Sequence, residues 1–403
     1  MAGGVRIVSA AWTEDAPRLS LRSRALLEAS VAGDIALRTA LASVLGGALA
    51  RAAVCSTGRR EGRMLAFYAE LAETGDPGEI FATPPRRVKV QAAPGRELGL
   101  AGGRVEGLRF RTPYRAINKA ARPEYDADGP NRIAVAEHWI HESGPRRTLA
   151  VIHGFGASPV WLNTAFFSLR EFFSQGWDIL LYTLPFHGSR AGSRLALNGI
   201  EMFSGGAARV HEAIIHAVFD FRILLDYLER RGTPRVGVTG LSLGGYISAL
   251  LAVVEARLDF VIPNAPVTWI PSLLSSWTPL NVTVGLAQRA LGISEEVLTR
   301  AFAVHSPLSY AAAVPKERLM IVCGLGDRLA PPEQGILLWE HWGRPSLHWF
   351  AGSHVLHFGR RAYLDEMREL MAASDPRRGR APRRDVNGSA KGTGAAGSTA
   401  AGG

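Results

Sequence analysis

The sequence predicts an α/β fold, a mostly parallel sheet with helices on both faces. Three observations predict it. Eight strand-like runs alternate with helix-like runs across residues 101–374. Several of these runs are continuous apolar stretches of about four to six residues, the pattern of strands covered on both faces. One of them, RVGVTG, leads through Gly240-Leu241-Ser242-Leu243-Gly244 directly into an apolar helix.

The composition allows such a fold. The chain has 403 residues, 47% of them apolar, enough for one large core with appendages. Its two cysteines, Cys55 and Cys323, make no disulfide framework. Cys323 sits in the apolar run MIVCG and is expected in the core, which fits a reducing, cytoplasmic setting. The stretch MAGGVRIVSAAWTED lacks the basic and unbroken apolar regions of a signal peptide. No unbroken run of about eighteen apolar residues occurs, so no membrane span is expected. The nearest candidate, residues 31–54, contains Asp34, Arg38 and Arg51 and reads as an amphipathic helix. The net charge is +10, nearly all arginine, and the tail PRRGRAPRR holds Arg377, Arg378, Arg380, Arg383 and Arg384. Half of the excess therefore belongs to a solvated tail. Nucleic acid or an anionic membrane needs a basic patch on the folded body, and neither is expected as a partner.

Three segments follow from the patterning. Residues 1–100 are Ala- and Arg-rich with helical periodicity over residues 19–72. There Leu27, Val31 and Ile35 recur every four residues, and Leu37, Leu41, Val44 and Ala48 continue one apolar face. Gly46-Gly47 marks a candidate break. With no chemical motif, this N-terminal helical extension is expected to be an accessory layer on the core. Residues 101–374 carry the strand runs RVEGLRF, RIAVAEHWI, TLAVIHG, DILLYTLP, RVGVTG, FVIPNAPV, RLMIVCG and SLHWFAG. Between them lie the helix-like TAFFSLREFFSQG and VHEAIIHAVFDFRILLDYLERRG, each stopped by Gly, and YISALLAVVEAR. Residues 375–403 form a basic Gly/Ala-rich tail that cannot bury a core and is expected to be disordered.

The pentapeptide G-x-S-x-G arises by chance in about one chain in three of this composition, so its setting carries the argument. A serine at a sharp strand-to-helix turn is presented above the sheet edge. Larger residues at Gly240 and Gly244 would collide with the neighbouring strand and helix, and the helix start puts a positive dipole end beside the hydroxyl.

This stretch resembles the nucleophile elbow of the α/β-hydrolase superfamily, and the likeness extends over about residues 104–371. The resemblance, to bacterial esterase- and lipase-like serine hydrolases, implies a mostly parallel eight-strand sheet, a helical cap and a Ser…Asp…His order of functional groups. TLAVIHGFGASP is similar to the family's HG-x loop. By that resemblance the backbone N–H groups of Phe155 and Leu243 are the oxyanion donors, Gly154 and Gly156 permit close approach, and His153 supports the loop. The loop departs from the HGGG form of many esterases.

The acid and base follow in the implied order. RLMIVCGLGDRLAPPEQ ends a strand in a loop with Asp327, and the preceding strand, FVIPNAPV, offers no carboxylate. The last strand runs into Gly352-Ser353-His354, which resembles the family's G-G-H form, so His354 is the expected base and His357 its rival. His348, inside the strand, is expected to be structural, and His341 to be a packing or surface residue. LYTLPFHGSR places His187 and Arg190 near the site, as structural groups or substrate contacts. The cap falls at about residues 267–315, where Trp269, Leu273, Leu274, Trp277, Leu280 and Val284 are candidates for lining an apolar pocket or for burial on the sheet.

These readings imply a carboxylic-ester or related acyl hydrolase acting on a small-molecule acyl substrate that is expected to be apolar. Acyl transfer, thioester or C–C hydrolysis, cofactor-free peroxidation and non-catalytic binding on the same fold remain open, because substrate choice lives in the cap. No metal-ligand spacing or cofactor motif occurs, and no cofactor is expected.

Overall fold

The computed structural model describes residues 21–99, 102–127, 129–192 and 198–373. The segments read for a signal peptide and for a disordered tail lie outside these residues. The strands are β1 (Gln91–Glu97), β2 (Gly103–Arg111), β3 (Ile133–His141), β4 (Thr148–Ile152), β5 (Asp178–Tyr182), β6 (Val236–Leu241), β7 (Val261–Asn264), β8 (Met320–Gly324), β9 (Ser346–Gly352) and β10 (His357–Phe358). They form one sheet in the order β1-β2-β3-β5-β4-β6-β7-β8-β9-β10. The block β5-β4-β6-β7-β8-β9 is parallel throughout. The pairings of β1, β2, β3 and β10 are antiparallel.

The sheet thus has ten strands where eight were expected, and parallel pairing is confined to its middle. The eight expected runs are β2 to β9. Strand β1, QAAPGRE, is exposed along its whole length. It joins β2 through backbone pairing alone, so no burial pattern marks it in the sequence. It also carries the sheet across the boundary expected at residue 100. Strand β10 is two residues long and follows the turn after β9.

The helices are α1 (Leu21–Val54), α2 (Gly58–Glu73), α3 (Pro77–Ile80), α4 (Arg122–Tyr125), α5 (Val160–Phe166), α6 (Leu169–Ser174), α7 (Glu201–Ser204) and α8 (Gly206–Arg230), followed by α9 (Leu243–Val254), α10 (Ile270–Ser276), α11 (Leu280–Leu291), α12 (Glu295–Ala303), α13 (Pro332–His341) and α14 (Arg360–Ala373). Alternation along the buried strands sorts them into two layers. Ala150 and Ile152 of β4 pack with α2, α8 and α9. Leu149 and Val151 pack on the opposite side with α6 and α14. Helices α10 to α12 form the insertion between β7 and β8.

Two helices differ from expectation. TAFFSLREFFSQG is split between α5 and α6 at Ser168, which has φ 52°. Helix α1 runs through Gly46-Gly47 without a break. A Cβ at Gly46 would press on Oγ1 of Thr283 in α11, at 3.0 Å, so the glycine admits a close helix crossing and ends nothing. The face of α1 that meets the protein carries Leu27, Ser30, Val31, Asp34, Ala42 and Leu45, while Ile35 and Val44 point outward. Apolar residues therefore lie on both sides of this helix. By length and composition Arg24–Val54 is long and apolar enough to cross a membrane, although Asp34, Arg38 and Arg51 interrupt its apolar run.

Candidate active site

Strand β6 delivers Ser242 into the turn before α9. Its backbone sits at φ 57° and ψ −111°, a region that ordinary side chains avoid and that the surrounding contacts must hold. The flanking glycines explain how the turn closes. A Cβ at Gly244 would overlap the carbonyl oxygens of Ile152 and His153, and one at Gly240 would overlap the backbone of Gly244. The Ser242 N–H donates to the Asn264 carbonyl at 2.9 Å, tying the turn to β7.

The loop after β4 comes alongside. A Cβ on Gly154 would sit 3.6 Å from Cβ of Ser242, so Gly154-Phe155 passes directly over the turn. Leu243 opens α9, and the first N–H groups of a helix have no acceptor within it. His153 holds the loop. Its Nε2 accepts the Leu184 N–H at 3.1 Å and its Nδ1 faces the Gly154 carbonyl at 2.8 Å. Burial lowers its pKa to about 4, so the ring is neutral, with the proton on Nδ1.

Asp327 and His354 meet across the loops that follow β8 and β9. Nδ1 of His354 lies 2.6 Å from Oδ2 of Asp327. The other oxygen, Oδ1, accepts the N–H groups of Leu329 and Ala330 at 2.9 and 2.8 Å. Burial pushes the Asp327 carboxyl above the usual range, only partly offset by His354 and the backbone donors. For His354 burial acts to lower the pKa, but the Asp327 carboxylate, its hydrogen bond and the charge of Asp34 outweigh it, and the net shift is upward.

Ser242 and His354 line the same cavity, of about 460 Å³. Its walls come from α1 (Leu37, Leu41, Leu45), the loop residue Phe155, α7 and the insertion residues Leu273, Leu274, Trp277 and Leu280. Among the described lining residues His354 is the one Lys, Arg, His, Asp or Glu. A more open groove of about 810 Å³ beside Trp139 and Trp161 lies apart from all the candidate residues.

Several expected contacts fall elsewhere. His357 stacks on Phe350 at 3.7 Å and turns Nε2 toward the His354 carbonyl. Burial holds its pKa near 3. It stands behind His354 and does not line the cavity. Arg190 is fully buried, with Nη2 2.8 Å from Oδ2 of Asp220, and it belongs to the core. His187 is buried, with Nδ1 2.8 Å from the Pro185 carbonyl, and packs edge-on to Phe155. Trp269 and Val284 do not line the cavity, whereas Trp277 does. Two features were missed in the sequence. The leucines of α1 were read as an accessory face yet form a cavity wall. Asp34, read as a polar interruption, is 2% exposed, and its Oδ2 accepts the N–H groups of Arg328 at 3.0 Å and His354 at 2.7 Å. No local pattern marks either role. Among the described residues no group of three or more His, Cys, Asp or Glu is placed to hold a metal ion.

The fold is that of the α/β-hydrolases. The acetyl xylan esterase 1 of Thermoanaerobacterium sp. JW/SL YS485 superposes with a TM-score of 0.54 at 16% identity, over 75% of this chain and 93% of that one. The acetyl xylan esterase of Paenibacillus sp. R4 superposes with a TM-score of 0.50 at 16% identity, over 77% and 94%. In sequence, the chain is 30% identical over 304 residues to the uncharacterized proteins Rv2627c and MT2702 of Mycobacterium tuberculosis, covering 73% of this chain and 70% of each relative. The chain belongs to the family of these two mycobacterial proteins. No family model matches it.

Proposed function

We propose that the chain is a serine hydrolase that cleaves carboxylic esters of apolar acyl groups, with Ser242 as nucleophile, His354 as base and Asp327 as the group that orients the base. The observation that carries this reading is the 2.6 Å contact of Asp327 with Nδ1 of His354, on the wall of the cavity that Ser242 also lines. With Nδ1 engaged, Nε2 is the nitrogen available to take the Ser242 proton as Oγ attacks the acyl carbon. The carbonyl oxygen becomes an oxyanion, stabilised by the N–H groups of Phe155 and Leu243. His354 returns the proton to the departing alkoxide, which leaves as the alcohol, and an ester on Ser242 remains. Water, deprotonated by His354, then releases the carboxylic acid and restores the serine. An apolar wall without charged groups favours a neutral hydrocarbon acyl chain, because a charged one would be desolvated with no partner. The names of the two esterases of similar fold agree with ester chemistry.

The test is labelling by a fluorophosphonate probe, comparing the native chain with Ser242→Ala and His354→Ala. Labelling of the native chain that both substitutions abolish is the expected result. A folded native chain that resists the probe, or a Ser242→Ala chain that still reacts, overturns the assignment.

A further inference from the structure

Helix α1 lays one face across the two loops that carry Asp327 and His354. Leu27 and Val31 pack on Gly326, where a Cβ would come within 2.6 Å of Leu27 Cδ1 and 2.8 Å of Val31 Cγ2. Further along the same face, Oδ2 of Asp34 accepts the N–H groups of both Arg328 and His354. Arg38 then directs Nη1 at the Arg328 carbonyl, at 3.4 Å. Positions 27, 31, 34 and 38 follow the i, i+4, i+7, i+11 spacing of one helix face. Three segments far apart in the chain thus meet on one carboxylate oxygen. One donor belongs to the candidate base itself, and the other to the residue after the candidate acid.

A carboxylate is an unfavourable choice for fixing a helix to a core. Burying it costs free energy unless its oxygens are paired, and a second carboxylate, Asp327, stands nearby. An apolar side chain would dock α1 without that penalty. A carboxylate oxygen joins both loops through one atom and adds negative charge close to His354.

We propose that Asp34 is a positioning residue of the active site, which pins the Asp327 and His354 loops in register and supplies a second negative charge beside His354, so that turnover depends on α1. The proposal rests on the serine-hydrolase reading. The charged and titratable groups around His354 are Asp327 from the loop after β8, Asp34 from α1 and His357 from β10, with Arg38 and Arg328 at the same junction. Arg360 lies beyond His357.

The experiment uses the full chain and its Asp34→Ala and Asp34→Asn variants, with p-nitrophenyl butyrate turnover over a pH series, fluorophosphonate labelling and thermal melts. An asparagine oxygen still accepts both N–H groups but carries no charge. Asp34→Ala is expected to lower kcat about tenfold or more with KM nearly unchanged. Asp34→Asn is expected to recover most of kcat at high pH while the acid limb of its profile moves to lower pH. An Asp34→Asn profile whose acid limb stays at the native position overturns the proposal, whether or not Asp34→Ala folds. So does a folded Asp34→Ala chain with native kcat, or a loss of activity in both variants that only tracks their melting. A native chain that neither reacts with the probe nor turns over the ester overturns the serine-hydrolase reading and the proposal with it. A native chain that reacts while Asp34 proves indifferent removes the proposal alone.

Discussion

Oδ2 of Asp327 faces Nδ1 of His354 at 2.6 Å, while Oδ1 of the same carboxylate is held by the N–H groups of Leu329 and Ala330. The loop therefore fixes which oxygen meets the ring. In Asp327→Asn the amide oxygen must stay with the two N–H donors, so the amide nitrogen turns to His354. As a donor it forces the ring proton onto Nε2, where it blocks proton transfer from Ser242. The expected outcome is a loss of kcat of roughly three to four orders of magnitude with the melting temperature little changed. Steady-state ester hydrolysis and calorimetry on the same sample check it.

The pH profile follows from the raised His354 pKa. The base must be neutral to act, so kcat/KM should rise with pH through an apparent pKa above the ordinary histidine value of about 6.5. Stability runs the other way. A group whose pKa is raised on folding stabilises fully below its unfolded pKa, and that contribution is lost as pH rises through the folded value. Activity should therefore appear over the same window in which this part of the stability declines. Rate profiles and melts over one buffer series measure both. An activity limb at or below the ordinary histidine range contradicts the electrostatic account.

The glycines of the turn and of α2 make a paired prediction. Gly244→Ala drives a Cβ into the carbonyl oxygens of Ile152 and His153, backbone that cannot step aside. It should cost about 1–3 kcal/mol and most of the activity. Gly62, inside α2, has nothing within 4 Å of its Cβ position, and Gly62→Ala should stabilise by about 0.5–1 kcal/mol. Urea unfolding of the two variants tests the contrast.

Leu41 of α1 lines the cavity in one apolar cluster with the insertion residues Leu273, Leu274 and Trp277. Leu41→Trp should fill part of the 460 Å³ and lower kcat/KM for octanoyl relative to acetyl p-nitrophenyl esters by about tenfold. An unchanged ratio would mean that the acyl chain lies elsewhere.

Arg190 should prove structural. Arg190→Ala leaves the buried Asp220 carboxylate with Thr112 and a histidine, His216, whose pKa burial lowers, but without its cationic partner, and is expected to destabilise by about 3–5 kcal/mol. In the fraction that stays folded, KM should be near native. A large change in KM with little loss of stability would return Arg190 to the substrate pocket.

The middle of the sheet was legible because its strands are covered on both faces. TLAVI and DILLY are buried at every residue and read as unbroken apolar runs. The helix ends were legible where glycine takes a left-handed conformation, as at Gly176 and Gly232, with φ 85° and 84°. Strand β1 left no trace, because pairing through backbone alone imposes no side-chain pattern. The facing of α1 was misread in part. Its leucines recur at helical spacing on more than one side, and periodicity alone does not say which side meets the protein.

Ser242, Asp327 and His354 could be nominated from the linear order because each stands directly after a strand, and local turn chemistry has a sequence signature. Their companions have none. Asp34 reaches His354 across 320 positions of chain, and His357, three residues from His354, is turned away by stacking on Phe350. Local sequence specifies the turns, the strand ends and the residue types that suit them. Which buried side chains then share an oxygen, a ring face or a cavity wall depends on packing between distant segments, and packing is settled only when the whole chain closes on itself.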